Sequence, residues 1–146
     1  MATRRRPVRV LLVEDNPGDA RLVQEALADA ESADFKLTHV EHLQEGLRRL
    51  AKHKFDVVLL DLLLDDTPRL GALLEIYEQS SRVPVVVLTG LEDEAVGKWA
   101  LREGAHEYLI KGAVGPERLA HALLDAMERG SAQSARAGAA SGYLND

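Results

Sequence analysis

Five side chains carry ligating or reactive groups and share one habit of placement. Glu14 and Asp15 follow the run Val8-Arg9-Val10-Leu11-Leu12-Val13, and Asp61 follows Val57-Val58-Leu59-Leu60. Thr89 follows Val85-Val86-Val87-Leu88, and Lys111 follows Tyr108-Leu109-Ile110. Three carboxylates brought into one crevice repel, and one ammonium cannot offset all three. A hard divalent cation can, and Mg²⁺ suits oxygen donors while keeping several of its waters. Under that compensation a carboxylate can attack phosphorus and become an aspartyl phosphate. Asp61 is the group left to react. The cation and Lys111 would neutralise the transferring phosphoryl oxygens, and the Thr89 hydroxyl could hydrogen-bond one of them.

That chemistry requires four separate segment ends to meet, so the elements matter. Phe55-Asp56-Val57-Val58-Leu59-Leu60-Asp61 is a short, continuous apolar run of the kind buried on both faces of a parallel sheet. Val8–Val13 and Val83–Leu88 read the same way, and Glu107–Ile110 is a shorter strand. Phe35-Lys36-Leu37-Thr38-His39-Val40 alternates apolar and polar residues and suits a position nearer a sheet edge. Between the strands, apolar residues recur at helical spacing. Leu22, Val23, Ala26, Leu27 and Ala30 mark a first helix, capped by Asn16 with Pro17 at its first position. Leu43, Leu47, Leu50 and Ala51 mark a second over about 42–52, and Leu70, Leu73, Leu74 and Tyr77 a third. Ala95, Val96, Trp99, Ala100 and Leu101 give a fourth, with acidic residues at its amino end and Gly104 as its stop. Pro116 opens a fifth, with Leu119, Leu123, Leu124 and Met127 on one face.

Strictly alternating strands and helices imply an α/β fold with right-handed crossovers and helices on both faces of the sheet. In the flavodoxin-like doubly wound order 2-1-3-4-5, strands one and three are neighbours at the switch point, where ligands bind at the carboxyl ends. That (βα)5 order gathers Glu14, Asp15 and Asp61. Residues 1–7, with Arg4-Arg5-Arg6, read as a short basic extension and 8–129 as one domain. The Gly-, Ala- and Ser-rich stretch 130–146 reads as a flexible tail.

Composition narrows the function. The 146 residues hold 24 acidic and 18 basic side chains, for a net charge of −6, which disfavours direct nucleic-acid binding. There is no cysteine, hence no disulfide or thiolate metal site, which fits a reducing cytoplasm. No apolar run approaches the ~20 residues of a membrane span. The five histidines, 39, 42, 53, 106 and 121, show no metal-ligand spacing, and surface or helix roles are expected.

The segments Val10-Leu11-Leu12-Val13-Glu14-Asp15-Asn16, Asp56-Val57-Val58-Leu59-Leu60-Asp61, Val85-Val86-Val87-Leu88-Thr89-Gly90 and Tyr108-Leu109-Ile110-Lys111 occur in order, each at a strand end. Together they resemble a response-regulator receiver domain of two-component signalling, over roughly Val8 to Arg129. The resemblance implies that Asp61 accepts phosphate from a phosphohistidine of a sensor histidine kinase or phosphotransfer protein. It implies Asp15 and Asp61 as Mg²⁺ ligands, Glu14 acting mostly through water, and the Leu63 backbone carbonyl as a further ligand. Thr89 and Lys111 would contact the phosphoryl group. Tyr108 matches the family's switch aromatic, although as a residue it reads equally as a packed tyrosine. The implied protein is not an enzyme on other substrates: it catalyses only its own phosphorylation and dephosphorylation. As a stand-alone regulator it would signal to a downstream protein target, with the kinase docking near helix one and the Gly112-Ala113 loop. The face of helix four, strand five and helix five would carry the output, as a homodimer in one version.

Departures from the family pattern are local. Asp65 stands where Pro is frequent, and Arg69, preceded by Pro68, where Gly is, so an unusual path is expected after Asp61. Gly112 follows Lys111 in place of Pro. Leu63, two residues after the acceptor, would hinder an attacking water and slow dephosphorylation. It also argues against a haloacid-dehalogenase-like phosphatase, which would need Asp there. The acidic Glu14-Asp15 turn argues against a flavodoxin phosphate loop, and no dinucleotide or P-loop fingerprint is present. The alternative that remains is a receiver-shaped scaffold that binds proteins without being phosphorylated.

Overall fold

The computed structural model describes residues 6–62, 69–80, 82–90 and 93–129. The chain order is β1 (Val8–Val13), α1 (Pro17–Asp29), β2 (Phe35–Val40), α2 (Leu43–Lys52), β3 (Val57–Asp61), α3 (Arg69–Gln79), β4 (Val85–Thr89), α4 (Glu94–Arg102) and β5 (Glu107–Ile110). A last helix, α5, covers 116–129. All strand pairs are parallel, in the order β2-β1-β3-β4-β5. The doubly wound sheet expected from the sequence is therefore the one observed. Leu63, Asp65 and the path through 65–68 lie outside the described residues, as do the first five residues and 130–146.

Period-two alternation sorts the side chains into two cores. Leu11, Val13, Val58, Leu60, Val85 and Val87 face α2, α3 and α4, joined by Leu43, Leu73 and Ile76. Val10, Leu12, Val57, Leu59, Val86 and Leu88 face α1 and α5, where Ala20, Leu27 and Leu123 meet them. Every residue of β3 and β4 is buried. At about 1.5–3 kcal/mol per fully buried Val or Leu, these central strands supply much of the hydrophobic stabilisation. Trp99 packs against the α2–α4 core, as its helical spacing suggested.

Helix ends follow their local chemistry. The Asn16 side chain accepts from the Asp19 amide at 3.0 Å, and Pro17 sits in the first turn of α1. At the other end of the sheet, α4 closes on Gly104 at φ +115°. There the Ala105 amide donates to the Ala100 carbonyl at 2.9 Å and the Gly104 amide to Leu101 at 3.1 Å. These two bonds form a Schellman motif, whose left-handed residue favours glycine.

Candidate phosphoacceptor site

The register of the strands brings the reactive residues together. Val13 lies beside Leu60, Asp61 beside Leu88, and Thr89 beside Ile110, so Glu14, Asp61, Thr89 and Lys111 all emerge at one edge. Alternation continued to the strand ends puts Glu14 with Val10 and Leu12, and Asp61 with Val57 and Leu59, on the α1–α5 side. Thr89 continues the Val85–Val87 series and shares the α4 side with Tyr108.

Lys111 is the hub. Its Nζ lies 2.8 Å from Glu14 Oε1, 2.8 Å from Asp19 Oδ2 and 3.0 Å from Asp61 Oδ2. The contact to Glu14 is an ion pair by distance rather than an aligned hydrogen bond. Glu14 and Asp61 are almost wholly buried, at 0% and 1% exposure. Burial alone would lower the lysine pKa, but its bonds to Asp19, Glu14 and Asp61 prevail and hold it above the ordinary lysine range. For Glu14, burial is the largest influence, followed by contact with the Asp61 carboxyl. Together they outweigh Lys111 and push Glu14 up to about 8. One ammonium does not neutralise this pocket, as charge counting on the sequence indicated.

The donor set suits a hard cation. Glu14, Asp15 and Asp61 can each offer a carboxylate oxygen within 4.8 Å of the others'. Such a cluster of oxygens, partly buried and partly open through Asp15, matches Mg²⁺ rather than a soft metal. Thr89 is fully buried, yet among the described residues its Oγ1 has no hydrogen-bond partner. A buried hydroxyl left in this state costs roughly 1–3 kcal/mol, which an incoming acceptor oxygen would recover.

Two contributors were not singled out by sequence reasoning. Asp19 reads as a first-turn helix residue, yet its carboxylate reaches Lys111 across 92 positions. His39 reads as a surface residue on an edge strand. Instead its Nε2 lies 2.7 Å from the Glu14 carbonyl oxygen, to which it donates. The Glu14 amide also donates to the Val40 carbonyl at 3.0 Å, so β2 holds the acidic turn from two sides. Only the short distance between Asp19 and the Asn16 cap hinted at the first, and no signal in the sequence pointed to the second.

The loop after Lys111 departs from the family for a visible reason. Gly112 adopts φ +81°, which Pro cannot reach, while no neighbour crowds the position of a Cβ there. The demand for glycine is thus purely one of backbone conformation. No cis peptide bond occurs among the described residues. Tyr108 is also constrained. A Cβ built on Gly97 of α4 would come within 2.7 Å of the Tyr108 ring, so helix and ring fit flush only because position 97 lacks a side chain.

Comparisons with known proteins agree with this geometry. Residues 10–124 match the family model described as the response regulator receiver domain. The chain is similar to the KDP operon transcriptional regulatory protein KdpE of Escherichia coli, with 36% identity over 86% of this chain and 54% of that protein. It is 32% identical to the transcriptional regulatory protein GlrR of Escherichia coli over 85% of this chain and 27% of that protein. The chain therefore spans about a quarter to a half of these relatives. Among solved structures, a receiver domain from Clostridium thermocellum superposes with a TM-score of 0.75 at 24% identity, covering 86% of this chain and 98% of that one. The receiver domain of a sensor histidine kinase from Pseudomonas aeruginosa, described with a magnesium ion coordinated in its active-site cleft, gives 0.71 at 24%, covering 84% and 99%. Fold, strand-end residues and the matched span converge: this chain belongs to the response regulator receiver domain family.

Proposed function

We propose that the chain is a Mg²⁺-dependent phosphoacceptor whose acceptor is Asp61. The observation that supports this most is the pairing of buried Asp61 with Lys111 beside the Glu14–Asp15 carboxylates. An Asp61 oxygen would attack the phosphorus of a phosphohistidine. The P–N bond would break, and the imidazole would leave with the electron pair and take a proton from solvent. Glu14, Asp15 and Asp61 would hold the metal, with the Leu63 carbonyl assigned from the family pattern. When bound, Mg²⁺ supplies charge neutralisation on the phosphoryl oxygens. Lys111 would release part of its hold on the carboxylates to meet the phosphoryl group, and Asp19 would keep its ammonium in place. The unpartnered Thr89 hydroxyl would donate to a phosphoryl oxygen. Thr89 and Tyr108 share one side of the sheet, which supports Tyr108 as the switch residue that carries the change towards α4.

The phosphodonor, a sensor histidine kinase or phosphotransfer protein, would dock at α1 and the Gly112-Ala113 loop. A groove of about 250 Å³ there runs from Asp19 and Lys111 past Leu22, Val23 and Val114. Leu22 is 62% exposed, an apolar anchor next to the acceptor. Output to a downstream protein, or pairing with a second copy, would use α4, β5 and α5. Among the described residues no helix is long and apolar enough to cross a membrane. A cytoplasmic setting follows from the proposed donor. The test is acetyl phosphate or beryllofluoride with Mg²⁺. We expect a Trp99 fluorescence change and a mass gain located at Asp61, both absent in Asp61→Asn. A phosphoryl adduct persisting in that variant would refute the assignment, and silence in the wild type would favour a phosphorylation-independent scaffold.

A further inference from the structure

At the β1–β2 end of the opposite, amino-terminal edge of the sheet, cations gather instead. Arg9 and Lys36 are register partners on β1 and β2, and Arg49 and His53 come from the end of α2 and the residue after it. With Thr38 and Lys54 they line a concavity of about 340 Å³. The stretch 46–55, Gly-Leu-Arg-Arg-Leu-Ala-Lys-His-Lys-Phe, contains no acidic residue, on a chain whose net charge is −6. Two carboxylates lie near without filling the pocket. Glu45 pairs with Arg49 at 3.5 Å, and Asp56 accepts from the backbone amide of Arg9 at 2.8 Å. Among the described residues no ion pair is formed by the side chains of Arg9, Lys36, His53 or Lys54. Cations gathered in a concavity with few counter-charges raise the local potential and attract anions.

We infer that this pocket under the end of α2 docks an acidic segment of a partner protein. The Arg9 guanidinium can meet a carboxylate through paired N–H donors, Arg49 can do so by exchanging its exposed Glu45 partner, and the lysines supply mobile charge at the rim. The patch is compact, a single concavity on a chain of net charge −6. That favours a short acidic segment over a long polyanion, whose continuation would be repelled. Arg9 is five residues from Glu14 along β1, roughly 16 Å, so a partner held here leaves the phosphoacceptor edge open. Docking at this edge does not depend on phosphorylation of Asp61.

The test is fluorescence anisotropy of a labelled oligoglutamate peptide with the full chain, at low and at physiological salt. Saturable binding that weakens with salt is expected. Reversal in Lys36→Glu with Lys54→Glu, or neutralisation in Arg9→Gln with Arg49→Gln, should weaken it about tenfold or more. Lys98→Glu on α4, outside the pocket, should leave it unchanged. Circular dichroism and the mass gain with acetyl phosphate should match wild type in the pocket variants. The inference is overturned by absence of saturable binding, by an equal loss in Lys98→Glu, or by loss of the mass gain in the pocket variants. It is also overturned if oligothymidylate or phosphatidylserine vesicles bind more tightly than the peptide.

Discussion

The two edges of one sheet handle charge in opposite ways. At the carboxyl edge, Glu14 and Asp61 are buried and locked onto Lys111. At the amino edge, Arg9, Lys36, His53 and Lys54 stand in solvent with no ion pair among the described residues. Buried charges of like sign are expensive, and a fold tolerates them where a ligand or reaction repays the cost. Exposed charges cost little to keep, fix no geometry, and serve to attract and orient. The first edge has the means for bond chemistry, whereas the second can only recruit.

The largest test of that contrast is Lys111→Ala. Removing the cation from between buried carboxylates should cost about 3 kcal/mol in urea unfolding with chelator present. Mg²⁺ should return part of it, and more than it gives the wild type. A loss no larger than that of an ordinary surface substitution would show that the acids are not held by the lysine. Thr89→Val comes next and should run the other way. Replacing an unpartnered buried hydroxyl with a methyl should stabilise the unphosphorylated protein by about 1 kcal/mol. Its Trp99 response to beryllofluoride should nevertheless fall, and a destabilised variant would point to a hydroxyl partner within the fold. The smallest effect belongs to the amino edge. Arg9→Gln with Arg49→Gln should stay within about 0.5 kcal/mol of wild type in thermal unfolding. A larger change would mean that these side chains hold structure rather than stand ready for a partner.

The carboxyl edge was legible in the sequence because each reactive residue ends an apolar run, and parallel strands all end at the same side. Alternation with helices implied a parallel sheet, and its order was that of the flavodoxin-like doubly wound pattern. Asp19 and His39 escaped because their roles depend on where a helix turn and an edge strand come to rest, which spacing does not encode. The amino-edge pocket escaped for a similar reason. Its cations are spread over β1, β2, the end of α2 and the residues after it, and the register of Arg9 with Lys36 is what brings the two strands' share together. Gly112 shows the reverse case. Its replacement of a family proline was visible in the sequence, but the left-handed backbone that requires glycine was not.

The sheet also partitions the molecule mechanically. Leu73 and Ile76 of α3 belong to a different core from Leu27 of α1 and Leu123 of α5, because the single five-stranded sheet stands between them. Truncations on opposite faces should therefore sum, whereas pairs within one face should not. Evolution or an engineer could therefore repack the α2–α4 core without disturbing the α1–α5 core.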